Sequence, residues 1–140
     1  VGLDQYAFAV EKNEANTDFS FVGAEEGNVN EIAYWRKHPN LQGYMKEVWL
    51  RKRIAAGDPP QPETEGWFKG EIVFNCTPVR LTLEDIEELK QAIMGEALPT
   101  TTGFFYGESR PKDAKLDIAF VRAAKKAIAE GKDVYYDSWW

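Results

Sequence analysis

The chain has 140 residues, 44% of them hydrophobic, which suits one domain able to bury more than half of the surface its unfolded form exposes. Its 23 acidic side chains against 17 basic ones give a formal charge of −6 and oppose a nucleic-acid partner, because neutralising phosphates takes a concentrated basic face. A lone Cys76 excludes an internal disulfide or a cysteine zinc cluster, no run approaches the ~18 apolar residues of a membrane span, and no signal pattern opens the chain.

Gln5 to Val10 alternates Tyr6, Phe8 and Val10 with Gln5, Ala7 and Ala9, a period of two that predicts a half-buried strand. Phe19 to Gly23 alternates again and suggests a second strand or a strand-like loop. After Gly27 and Asn28, Asn30 is placed to cap a helix running from Glu31 to Lys37. His38 precedes Pro39 and is pushed toward extended geometry. A second helix is expected over 41–55, with Leu41, Met45, Val48 and Trp49 near a 3.6-residue period. The Pro-rich stretch 57–66 has few apolar anchors and reads as an exposed loop, too short to divide the chain into two domains.

Trp67 to Cys76 reads as a strand with Gly70 as a bulge, ended by Thr77 and Pro78 ahead of Val79 to Leu81. Thr82 caps the next helix, where Leu83, Ile86, Leu89, Ile93 and Met94 face inward and Gly95 stops the helix. Phe104 to Gly107 is expected to be a short buried strand. The last helix opens at Pro111 or Asp113, turns Leu116, Ile118, Ala119, Phe120, Ala123, Ala127 and Ile128 inward, and closes at Gly131. An aromatic strand from Asp133 to Trp140 ends the sequence. Without internal repeats or a regular βα alternation, the fold class is α+β: a single domain over 1–140, with a mainly antiparallel sheet of four or five strands and about four helices on one face. An open α/β sheet is the alternative.

Polar and aromatic chemistry is densest from Tyr34 to Met45, where Tyr34, Trp35, Arg36, Lys37 and His38 stand in succession. Arg36 can fork onto a carboxylate or phosphate and Lys37 adds a point charge, or both cations complement the end of a helix. His38 has no partner at helical spacing that would make it a metal ligand, and Cys76, without a neighbouring cation, reads as buried and inert. The turn 100–103 offers hydroxyls and amides but lacks the lysine and spacing of a phosphate loop. Tyr135, Tyr136, Trp139 and Trp140 crowd the end of the sequence, where an undocked tail would be polar, so they are expected to form a latch.

Gly2 to Tyr6, Tyr34 to Lys37, Asn75 with Cys76, Leu98 with Pro99, Gly103 to Gly107 and Tyr135 to Trp140 together resemble a family of small proteins common in bacteriophage genomes. The likeness spans nearly the whole chain. It implies a phage or prophage origin, hence the cytoplasm of an infected cell, and brings no activity with it. Some members carry other residues where this chain has His38, Pro39 and Asn40, which argues against an essential His38.

The leading expectation is a binding module whose pocket gathers Tyr34, Trp35, Arg36, Lys37, His38, Asn75, Tyr106, Tyr136 and Ser138 around an anionic or planar ligand, or a peptide. An enzyme of the transferase or hydrolase class acting on a nucleotide-like substrate, with His38 as acid or base, is the alternative. A third reading is a protein that contacts a host factor, with a homodimer sealed by Trp139 and Trp140. No cofactor or metal motif is present in the sequence.

Overall fold

Strand β1 (Asp4–Val10) lies in the middle of a four-stranded sheet with β2 (Val29–Arg36) and β4 (Asp133–Trp139) on either side, and β3 (Val79–Leu81) completes the order β2-β1-β4-β3. Every pairing is antiparallel, in register from Asp4 opposite Arg36 and Trp139 to Val10 opposite Val29 and Asp133. The computed structural model describes residues 2–103 and 105–140, which form one α+β domain.

The period of two in β1 assigns its faces. Ala7 and Ala9 meet Trp35, Tyr136, Val134, Val79 and Leu81 on the inner face, and all seven belong to one buried cluster. Three helices cover that face: α1 (Pro39–Ala55), α2 (Leu83–Met94) and α3 (Asp113–Ala129). They contribute Leu41, Met45, Val48 and Trp49, then Ile86 and Leu89, then Phe120, Val121, Ala124 and Ala127. Ring area dominates this core, with Trp35 set edge-on to Phe120 at 5.2 Å. The opposite face carries Tyr6, Phe8 and Tyr34, and the β1–β2 connection reaches over it, with Phe21 against Phe8 and Tyr135 and the Thr17 and Ser20 carbonyls accepting from the Tyr135 hydroxyl.

Local chemistry explains the helix starts. Pro39 supplies the first turn of α1, where its missing N–H costs nothing. At α2 the Thr82 hydroxyl accepts from the Asp85 amide at 3.2 Å while the Asp85 carboxylate accepts from the Thr82 amide at 2.8 Å, a reciprocal cap.

Several expectations are corrected. The segment read as a helix from Glu31 to Lys37 is strand β2, because its pairing along the whole of β1 and its Val, Ile and aromatic content outweigh a local helical pattern. A bulge at Ala7/Phe8 leaves Ile32 without a direct partner, which blurred the alternation. Phe19 to Gly23 forms no strand, only a bridge between Thr17 and Ser20. Trp67 to Cys76 is irregular, with one bridge between Glu63 and Lys69. Phe105 to Gly107 is likewise not a strand, and Phe104 lies outside the described residues. The described residues hold three helices rather than four. Leu83, Met94 and Leu116 are exposed, and α3 turns Asp113, Asp117, Val121 and Ala124 inward instead of Leu116 and Ala119. The Pro-rich stretch 57–66 is exposed apart from Pro60, which is partly covered. Among the described residues, no helix is long and apolar enough to cross a membrane.

Candidate functional site

Polar side chains gather in two places, one sealed and one open. The sealed one begins at the junction of β2 and α1, where His38 is buried between the sheet and α3. Its Nε2 lies 3.0 Å from Asp117 Oδ2 and its Nδ1 2.7 Å from the Ser109 hydroxyl. Trp35 Nε1 donates to the other Asp117 oxygen at 2.9 Å. As a carboxylate Asp117 can only accept, so Nε2 carries a proton and donates to it, while Asp113 Oδ2 lies 3.8 Å from Nδ1. Gln5 fixes the backbone of the same residue, accepting from the His38 amide at 2.8 Å and donating to its carbonyl at 2.9 Å. The Gln5 amide also donates to the Tyr136 hydroxyl, which donates onward to Gln42 at 2.5 Å, and Gln42 donates to the Phe74 carbonyl at 3.0 Å. Burial drives the Tyr136 hydroxyl well above the usual phenol range, with the Gln5 bond acting against it.

Serine, histidine and aspartate in a line invite comparison with a nucleophilic relay. Here the Ser109 oxygen also accepts the Asn40 amide at 3.1 Å, supplying the cap for α1 that the side chain of His38 does not provide. Neither Ser109 nor His38 lines the cleft described below. The set therefore holds the β2–α1 junction against α3.

The open place is a cleft of about 620 Å³ between α1, the 62–74 segment, residues 101–103 with Phe105 and Tyr106, and Trp140. Phe68 and Tyr106 both stand edge-on to the Trp140 ring, at 5.2 and 5.5 Å. Trp140 is pinned three times: its indole N–H donates to the Phe74 carbonyl at 2.9 Å, and its backbone amide and carbonyl both bond the Asn75 side chain. Trp67, 79% exposed, forms part of the rim. Gly43 allows Thr101 to close on α1, since a Cβ there would lie 2.0 Å from the Thr101 hydroxyl. Burial raises the Tyr106 hydroxyl, a Gln42 hydrogen bond opposes this, and the Glu71 carboxylate adds to it. Lys46 and Glu71 bring one charge of each sign to the lining, and among the described residues neither has an ion-pair partner.

The nine residues singled out from sequence do not form a single pocket. Trp35, His38 and Tyr136 join the sealed network, and Ser138 is buried nearby with its hydroxyl unpartnered among the described residues. Tyr106 lines the cleft, and Asn75 serves it by clamping Trp140. Tyr34 and Arg36 lie on the opposite sheet face, where both bond Asp4 Oδ1, at 2.5 and 2.9 Å. Burial opposes ionisation of Asp4, but the bonds from Tyr34 and Arg36 prevail and lower its value. Arg36 is thus occupied by a carboxylate of its own chain. Lys37 follows with a left-handed φ of 57°, its stem against Gly2 and Gly107. Cys76 is exposed rather than buried, and its thiol is pushed up by partial burial and by Asp137, so it resists becoming a thiolate.

Sequence reasoning missed Gln5, Gln42, Ser109, Asp113 and Asp117 in the network, and Lys46, Phe68 and Glu71 in the cleft. A signal did exist for some of them: Gln42 shares the inward stripe of Leu41, Met45 and Trp49, and Asp113 and Asp117 are four apart, in line with Phe120 and Ala124. Among the described residues, no group of three His, Cys, Asp or Glu side chains could hold a metal ion. No family model, curated protein or solved structure matches the chain.

Proposed function

We propose that this chain is a small binding module of phage type, acting inside the infected cell, and that its ligand occupies the cleft beside Trp140. The observation that carries this reading is the cleft itself: about 620 Å³ walled by Phe68, Tyr106 and Trp140, with Lys46 on α1 unpaired among the described residues. Interlocked rings offer flat apolar contact at little entropic cost, and an unpaired lysine offers a charge for an anionic group. The anchoring cation in this reading is Lys46 rather than Arg36. A catalytic role lacks comparable support, because the serine, histidine and aspartate lie outside the cleft.

Screening a collection of small aromatic acids and short peptides by quenching of tryptophan fluorescence tests the proposal. Ligands found this way should lose about tenfold or more in affinity for Lys46→Gln or Trp67→Ala protein. Equal binding to the parent and both variants would place the ligand elsewhere.

A second reading, contact with a host protein across the open sheet face, rests on Tyr34 and on Trp139, which is 60% exposed.

A further inference from the structure

Ile72, Val73 and Phe74 have the residue types of a buried strand, yet none of them belongs to the sheet. The segment is nonetheless held at both ends. Upstream, the Glu63 amide donates to the Glu71 carbonyl at 2.8 Å. Downstream, the Phe74 carbonyl accepts from Gln42 at 3.0 Å and from the Trp140 indole at 2.9 Å, and the Phe74 ring is buried. Between these anchors the backbone is open: among the described residues, nothing hydrogen-bonds the amide or carbonyl of Ile72 or Val73. Both residues line the cleft.

Such a stretch leaves main-chain donors and acceptors open for a partner to pair with. Its side chains are partly covered and its ends tied, so little entropy remains to be lost when a partner pairs with it. Open main-chain groups bond water where it reaches them, so a ligand that covers them must replace those bonds. A planar small molecule can stack on the rings but cannot present the alternating donors and acceptors of a peptide backbone. The charges agree with a peptide as well, since Lys46 suits a carboxylate while Glu71 suits a donor.

We infer that the ligand of the cleft is an extended peptide that pairs its main chain with Ile72 or Val73, packs an apolar side chain against the rings of Phe68, Tyr106 and Trp140, and sets an acidic side chain or free carboxylate against Lys46. This rests on the cleft reading above and deepens it. Main-chain pairing supplies affinity, and the ring-lined space and Lys46 supply selectivity. A strand residue presents its N–H and C=O to the same side, so one of the two residues faces the peptide and the other faces away.

A library of randomised heptapeptides with free carboxyl ends, panned on the parent protein with counter-selection on Lys46→Gln protein, tests the inference. Acidic peptides with an apolar residue near the acid should be enriched. Methylating a single central amide nitrogen of a recovered peptide, which removes one main-chain donor and keeps every side chain, should weaken binding by about tenfold or more at one position at least. Either Ile72→Pro or Val73→Pro should do the same. Retention of the parent's cooperative thermal transition by the proline variants excludes unfolding as the cause, and peptide methylation on parent protein is independent of it. Recovered peptides that tolerate methylation at every position, or a screen in which only non-peptide aromatic acids respond to Lys46→Gln, would overturn strand pairing and leave the cleft reading standing. Absence of any ligand that senses Lys46→Gln or Trp67→Ala would remove both.

Discussion

At the scale of single residues, burial decides which polar groups matter. His38 is held by Asp117, Ser109 and Gln5, and removing it strands a buried carboxylate whose remaining side-chain donor among the described residues is the Trp35 indole. His38→Ala should therefore cost about 3 kcal/mol in chemical denaturation, against about 1 kcal/mol for Trp35→Phe beyond its lost ring area, since the latter removes one donor and leaves another. A loss for His38→Ala no larger than that of an exposed substitution would show that the network is not structural. Asp137 behaves in the opposite sense. Its pKa is raised by burial, with the Ser138 amide only partly compensating, so the folded state holds the proton more tightly than the unfolded chain. Stability is accordingly lost as pH rises from the ordinary carboxylate value through the raised one. Asp137→Asn should stabilise the protein at neutral pH, and thermal melts repeated in acid should show that gain disappearing. Asp85 has a lowered pKa, because Lys52 and the Thr82 amide outweigh its burial, so its contribution is present above the ordinary carboxylate range and lost as pH falls through the lowered value.

At the scale of elements, α3 shows how a helix can be located correctly and rotated wrongly. Its extent was legible from the apolar content between Pro111 and Gly131, but its inward stripe contains Asp113 and Asp117, which a hydrophobic pattern assigns to solvent. The result is a testable contrast. Phe120→Ala, at a fully buried ring, should cost about 3 to 5 kcal/mol, while Leu116→Ala, 42% exposed, should cost less than about 0.5 kcal/mol in the same titration. Comparable losses at both sites would place the face elsewhere. Strand β2 carries the complementary lesson: Val29 to Arg36 has mixed local preferences, and the strand forms because β1 offers it an edge along its whole length.

At the scale of the whole molecule, the interior position of β4 makes the end of the sequence structural. It pairs with β1 on one side and β3 on the other, and Trp140 beyond it ties the 62–74 segment to the sheet. The two terminal tryptophans then divide the work. Trp140→Ala should cost about 3 kcal/mol and open the cleft, while Trp139→Ala, on the open face, should change stability by less than about 0.5 kcal/mol. Differential scanning calorimetry of the two variants checks this, and the reverse order would assign the latch to Trp139.

The amino-acid sequence by itself determined the α+β class, the positions of β1, α1, α2, α3 and β4, the cap of α2 and the placing of rings at the end of the chain, because these follow from periodicity, capping chemistry and composition acting over a few neighbouring residues. Tertiary structure alone decided that 29–36 is a strand, that Ile72 to Phe74 lines a cleft without joining the sheet, and that Arg36 and Tyr34 lie on the opposite face from Trp35 and Ser138. A strand needs a partner, and where that partner lies is set by contacts between residues far apart in the chain. One step along a strand turns a side chain to the other face, so Trp35 and Arg36, adjacent in sequence, end on opposite sides of the sheet.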